Sequence, residues 1–586
     1  MSASIAHAAA RLVCLAAAAV AIAVSAAAVC AQAAGHRCIH DAVQDLVLRS
    51  AAQQGSGPAA LSAMGLPRVS LAPSNDAGAA GLAAANSMPT SPPRARGWGP
   101  VRIFVSTYGL TDPFYYCREV GQVVTNHSGG VAICKEEDIL TEQKRNALNA
   151  YLDAAVKMHS DRLHVDQLVR EILRVGVMVG PVCSTFKVPP EHQAEGIPGY
   201  DFVLYVGATP AAGDIEAFAA VCQTLPDGRP AVGVMNVAPA RITTPGSRHM
   251  KRVVTHELTH ALGFGKLFFQ EKHLIVMVPG GRGRGSPVPV LKGPTVVQRA
   301  QEHYGCRDLQ HVELENLGPS NTVGSHWKMR SMKDELMGPI TIAGYYTNLT
   351  LGALNDLGYY RANFGLGEEM KWGRGAGCDL FTEKCMERNI TKWPEMFCND
   401  SAPELRCPTD RLALGQCQII TYTGALPLQY QYFDRPNLGG RLNFMDFCPF
   451  VNGLGNALCT QDPAKAPGPL KLFNVFSELS RCIDGAFKPK NVRIPVNKFS
   501  GLCASVLCDP PTKTYKIRVA GSDRNVPCRD RQRILLGPLT DQFEAGGYLD
   551  CPPFVEVCQG NNLAAVASDA GEGTGSGAGD TAALQL

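Results

Sequence analysis

Charge is scarce in this sequence. Asp, Glu, Lys and Arg make up 18% of 586 residues, and the net charge is +3. So weak a balance offers no electrostatic footprint for nucleic acid. Few charges beside 59 glycines and 40 prolines also argue against a helical bundle and for a loop-rich chain. Repeated C-x-x-C pairs are missing, which argues against a cysteine-only metal site. The sequence ends TAALQL, with no hydrophobic tail of the about 10–20 residues that a GPI-anchor signal needs.

Cysteine itself is plentiful, with 21 residues. Cys14 and Cys30 lie in an N-terminal apolar segment and Cys38 just after it. The other 18, from Cys117 to Cys558, are an even number and read as up to nine disulfides formed in an oxidising compartment. Thirteen of them fall at or after Cys378, so bridges rather than a large core are expected to hold the C-terminal third. Residues 1–33 read as a secretory signal peptide: Arg11, an apolar run, then the small-residue site Ala31-Gln32-Ala33.

The stretch that carries chemistry is VVTHELTHALGF, residues 253–264. On a helix His256 and His260 lie roughly 40° apart on one face, one turn from each other, so both imidazoles can reach one ion. Glu257 falls beside them, where a general base could take a proton from a zinc-bound water. Val254, Leu258 and Ala261 supply an opposite, apolar face. Thr244-Pro245 is a plausible helix start, and Gly263 suits a left-handed exit. Catalytic zinc usually has three protein ligands plus water. In the H-E-x-x-H-x-x-G-x-x-H pattern the third follows the glycine directly, but Phe264, Gly265 and Lys266 stand here. His273, His303, His311 and His326 remain as candidates.

The motif, with GSHWKMR around His326 and DELMGP around Met337, resembles the leishmanolysin family of trypanosomatid surface metalloproteases. YDFVLYV, GYYTNLTLGALNDLGYY, KCMERNITKWPEMFC and GGYLDCPPFVEVCQG are similar to the family along most of residues 100 to 560. The resemblance implies an α+β fold: a metzincin-like catalytic domain with a mixed twisted sheet and zinc helix, an inserted central subdomain and a disulfide-rich C-terminal domain. It implies His326 as third ligand after a long insertion, and Met337 in a turn beneath one Zn2+. It also implies a protease of proteins and peptides, some of them host extracellular proteins, with a preference for a hydrophobic residue after the cut. The alternative within the same family is a surface adhesion protein that binds without cleaving. Relatives are typically GPI-anchored. With TAALQL at the end, a secreted form is expected here, with a surface anchor as the alternative.

Taken in order, residues 34–100 look like a propeptide rich in Ala, Gly, Ser and Pro, a poor core builder. HRCIHD offers Cys38, whose thiolate could fill the fourth zinc position as a cysteine switch. Residues 101–268 should form the N-terminal catalytic subdomain, with a strand in VRIFVSTYG, a long helix over 136–158, and strands from Tyr200 and from Ala231. An extended substrate would pair with an edge strand here; whether the Ala231 strand is edge or interior is open. Residues 269–384 form the subdomain with His326. Its basic loop GGRGRGSPVPV reads as solvated surface or as a rim of the cleft. GYYTNLTLGALNDLGYY reads as a helix behind the site. Residues 385–558 carry most of the cysteines, and residues 559–586 form a low-complexity tail. Sequons at Asn126, Asn348, Asn389 and Asn399 suit a glycosylated exported protein, with Asn348 doubtful inside a helix.

Overall fold

The structure, a computed structural model, describes residues 36–53, 61–73, 97–169, 171–213, 215–317, 323–400 and 402–559. The signal-peptide reading, the SPPRAR end of the propeptide and all but Gln559 of the tail lie outside the described residues.

The elements that frame the site can be taken in chain order. They are β1 (His36–Arg37), α1 (His40–Gln53), β2 (Ile103–Ser106), α2 (Glu142–Arg162), β3 (Phe202–Gly207), β4 (Ala217–Thr224), β5 (Pro230–Val237), α3 (Arg248–Ala261), β6 (Ile340–Thr341) and α4 (Asn348–Asp356). Four strands make the central sheet in the order β4-β5-β3-β2. β3 runs parallel to both β5 and β2, and β4 closes the sheet antiparallel to β5. Every residue of β3, β4 and β5 is buried. Strands covered on both faces read as unbroken apolar runs, and FVLYVG, AFAAVCQT and PAVGVMNV do so. α3 packs against β4, β5 and α2, while α1 lies against β4.

The Ala231 strand, left open by the sequence, is interior, and the edges of the sheet are β4 and β2. Several expectations are corrected. α3 begins at Arg248, not at Thr244-Pro245, because the Ser247 hydroxyl accepts from the Met250 N–H and caps it there. The long helix is shifted to Glu142–Arg162 by the same device, Thr141 accepting from Lys144 N–H. The stretch around Asn348 gives a helix of nine residues only, capped by Thr347. The segment expected to be a poor core builder contributes Val43, Val47 and Leu66 to the main core. The basic loop is solvated only in part: Gly283, Gly285, Ser286 and Pro287 are exposed, but Arg282 and Arg284 are buried, both pair with Glu313, and Arg282 also faces Asp446.

Nine disulfides join all 18 cysteines from Cys117 to Cys558, six of them within the region from Cys385 onward. That region is not held by bridges alone. A second core, with Phe473, Leu502, Ile517 and Leu549, fills the space beneath a seven-stranded sheet. Among the described residues no helix is long and apolar enough to cross a membrane.

Candidate metal centre

α3 brings His256 and His260 onto one face, and their Nε2 atoms lie 3.1 Å apart. The helix then breaks at Gly263, whose φ of 102° is a left-handed value that an L side chain rarely adopts. A Cβ there would also approach the Pro230 ring at 3.2 Å. The turn has a chemical result. It swings the Phe264 carbonyl back over the helix, where it accepts from His260 Nδ1 at 2.7 Å.

His326 arrives from the distant segment. Its Nε2 is 3.2 Å from that of His260. Its register is fixed by backbone: Glu315 N–H donates to the His326 carbonyl at 2.8 Å, and Lys328 N–H to Glu313 at 3.1 Å. Beneath this ladder Lys328, fully buried, pairs with Glu315 at 2.8 Å and Asp446 at 2.7 Å. Met337 is fully buried in the following turn. Its carbonyl accepts from Trp327 N–H at 2.9 Å, and its own N–H donates to Glu335. The neighbouring Leu336 carbonyl accepts from His256 Nδ1 at 2.6 Å.

Cys38 completes the group. Its sulfur and one ring nitrogen from each of His256, His260 and His326 all lie within 4.8 Å of one another, and all four residues are buried. β1 pairs antiparallel with β6, which guides Cys38 in, and the His40 ring stacks on His260 at 4.1 Å. Burial, then the Glu257 carboxylate beside it, push the Cys38 thiol well above its ordinary value. Burial, then the neighbouring rings, push His260 well below its own. Glu257 is wholly buried beside the group. His273, His303 and His311 are outside it; His303, for example, is bonded to the Trp372 carbonyl at 2.9 Å.

This donor set fits a metal ion. His256 and His260 spend their Nδ1 protons on carbonyls, which leaves bare lone pairs on Nε2. Two such lone pairs facing each other at 3.1 Å repel unless a cation lies between them. Three imidazoles and a thiol suit a borderline-soft divalent cation.

The sequence model of the leishmanolysin family matches residues 36–564. The chain belongs to the leishmanolysin family. It is 46% identical to leishmanolysin of Leishmania major over 562 residues, covering 95% of this chain and 93% of that one. A leishmanolysin homolog of Crithidia fasciculata is 44% identical, over 89% and 81% of the two chains. A leishmanolysin-like peptidase of Caenorhabditis elegans is 28% identical, over 44% and 49%. As a member of this family the chain is a metalloendopeptidase with the α+β fold expected of it.

Sequence reasoning missed the roles of Leu336 and Phe264, because both act through backbone carbonyls that no side-chain pattern reports. It also missed His40, although HRCIHD displays it. Of the sequon residues, Asn399 is exposed and Asn389 donates to Asp434 at 2.6 Å. The Asn126 side chain caps its own turn, accepting from Ser128 and Gly130 N–H at 2.9 Å each. The Asn348 amide is pressed against Gly367, where even an added Cβ would have no room.

Proposed function

We propose that this chain is a zinc endopeptidase of exported type, made as a latent precursor and acting on proteins and peptides. His256, His260 and His326 hold the metal, and Cys38 fills its remaining position until the N-terminal segment is cut away. The observation that carries the reading is the convergence of three imidazole Nε2 atoms and one buried thiol on a common point beside Glu257. A donor set of three imidazole nitrogens and one thiol favours zinc among the divalent ions.

Bound zinc would supply Lewis acidity, polarising the scissile carbonyl and lowering the pKa of a water. The remaining work falls to the chain. Glu257 accepts the proton of the attacking water and returns one to the nitrogen of the departing amine, so no net proton is consumed in that exchange. The Leu336 and Phe264 carbonyls hold the imidazoles in the tautomer that presents Nε2. A substrate that pairs with a strand edge through its backbone would explain wide tolerance of side chains. The family resemblance favours a hydrophobic residue just after the cut, and an exported or surface location with or without a lipid anchor.

The direct test is metal analysis and casein digestion by the mature protein, with and without a chelator. One zinc per chain and chelator-sensitive cleavage are expected. A metal-free or chelator-indifferent protein would leave an adhesive role as the better account.

A further inference from the structure

We propose that Glu335 is a positioning residue of the metal centre: its two carboxylate oxygens, through separate relays, set the aim of the imidazoles of His256 and His326. The proposal rests on the reading above that these imidazoles hold zinc.

Glu335 is fully buried, and its hydrogen-bond donors are all uncharged. Oε2 accepts from Met337 N–H at 2.6 Å. Oε1 accepts from the Thr350 hydroxyl at 2.7 Å, the Thr347 hydroxyl at 2.9 Å and Thr347 N–H at 3.3 Å. Burying a carboxylate among neutral donors is costly, and an apolar side chain would fill a core better. The reason for a carboxylate lies in the donors. A group that only accepts can answer all four at once, whereas an amide must turn its own N–H groups toward one of them. Burial lifts the carboxyl to about 7 while the four donors pull it down, so above that value it is ionised and each donor is met.

The Oε2 relay is one peptide unit long. Met337 N–H and the Leu336 carbonyl belong to the same planar peptide and point in opposite directions. Pinning the N–H on Glu335 therefore aims the carbonyl at His256 Nδ1, from which it accepts at 2.6 Å. The Oε1 relay runs through Thr350, whose hydroxyl donates to Glu335 and accepts from Trp327 Nε1 at 2.9 Å. Trp327 follows His326 in the chain, and its N–H donates to the Met337 carbonyl at 2.9 Å. Its ring also meets that of Phe264 in a T-shaped contact, 5.3 Å between centroids, and the Phe264 carbonyl is the one that accepts from His260. One carboxylate thus joins α4, the turn of Met337 and the segments that carry the three rings.

The test compares the mature protein as wild type, Glu335→Gln, Thr350→Val and Thr350→Ser, at about pH 8 so that the carboxylate is ionised. Gln keeps an oxygen for the three donors at Oε1 and turns its NH2 on Met337 N–H, so it breaks the first relay. Val breaks the second, and Ser, which keeps the hydroxyl, should restore it. With either relay broken, zinc loss to a chelator should quicken about 10–100-fold, the usual effect of losing a group that orients a ligand. The kcat should fall while KM stays within about twofold. Cobalt(II) in place of zinc should show a shifted visible spectrum, because its ligand field reports the imidazole geometry. Exchange of Met337 N–H should quicken in Glu335→Gln. A purely structural role would lower the unfolding midpoint but leave zinc loss and the cobalt spectrum of the folded protein at wild-type values, and that result would overturn the proposal. Thr350→Ser losing zinc as fast as Thr350→Val would do so too. Should Glu335→Gln fold poorly, Thr350→Val decides by the same readouts. A wild-type protein that takes up no zinc would instead sink the metal reading, and exchange then judges Glu335: a Met337 N–H as slow in Glu335→Gln as in wild type would overturn its role.

Discussion

At the residue scale the proposed chemistry rests on one carboxylate, Glu257, and three imidazoles, His256, His260 and His326. Replacing Glu257 with Gln should lower kcat by about 10²–10⁴, the usual share of a general base, while zinc content stays at one per chain. Loss of metal and activity together would move Glu257 from proton transfer to holding the site. His326→Ala should lose metal as completely as His260→Ala, and His303→Ala should keep it; metal retained without His326 would reverse that assignment. Gly263→Ala combines strain at φ 102° with a close approach to Pro230. It should cost about 1–3 kcal/mol of stability and weaken metal affinity, because the Phe264 carbonyl would leave His260. His256, Glu257 and His260 were legible in the sequence because one helical turn relates them. His326 was not legible from spacing. Its approach is set by backbone pairing with residues 313–315, a relation that leaves no periodic trace and that only the family resemblance supplied.

Buried ion pairs lock the elements around the centre. Arg252 on α3 pairs with Glu368, and Arg282 and Arg284 in the basic loop pair with Glu313. Burial alone would raise both carboxylates. Arg252 outweighs it at Glu368, and Arg282 with Arg284 at Glu313, so each is held down at about 2. Because both folded-state values lie below the ordinary 4.5, the unfolded chain binds more protons between them. These pairs stabilise the fold fully above that value, and their contribution drains away as pH falls from about 4.5 to about 2. Acid titration of unfolding should show that loss, and Glu368→Gln should flatten part of it. At neutral pH the single variant should cost about 3–5 kcal/mol by stranding Arg252, whereas Arg252→Met with Glu368→Met should cost far less. An equal cost for single and double variants would count against the pair. A run such as GGRGRG reads as surface because its partners, Glu313 and Asp446, are far away in the chain and unmarked. The edge position of β4 was illegible for a related reason. Strands buried on both faces carry the same apolar signature wherever they stand in the sheet, so order is written in pairing and not in composition.

Among the described residues two large cores form, beside a small cluster of Cys117, Val124 and Cys134. The one that holds the centre gathers residues from Val43 to Phe450, and the second runs from Leu405 to Cys558. Cysteine parity foretold the number of bridges but not the map, since eighteen thiols at irregular spacing fit many pairings; only the fold brings Cys508 to Cys558 or Cys306 to Cys378. The division has a thermal consequence. Metal bound to the first core stabilises it by about 4 kcal/mol at a free concentration a thousandfold above Kd. Bridges such as Cys508–Cys558, closing a loop of 50 residues, each contribute roughly 4 kcal/mol to the second. Calorimetry of the mature protein should therefore resolve two transitions that differ in their sensitivity to metal. A chelator should lower the one that reports the first core and spare the other, while a reductant should lower both, since Cys183–Cys222, Cys306–Cys378 and Cys385–Cys448 brace the first core as Cys508–Cys558 braces the second. The His260→Ala variant should reproduce the chelator's effect without any added reagent. A single transition, shifted equally by chelator and reductant, would mean that the strands interleaved between residues 405 and 450 weld both cores into one cooperative unit.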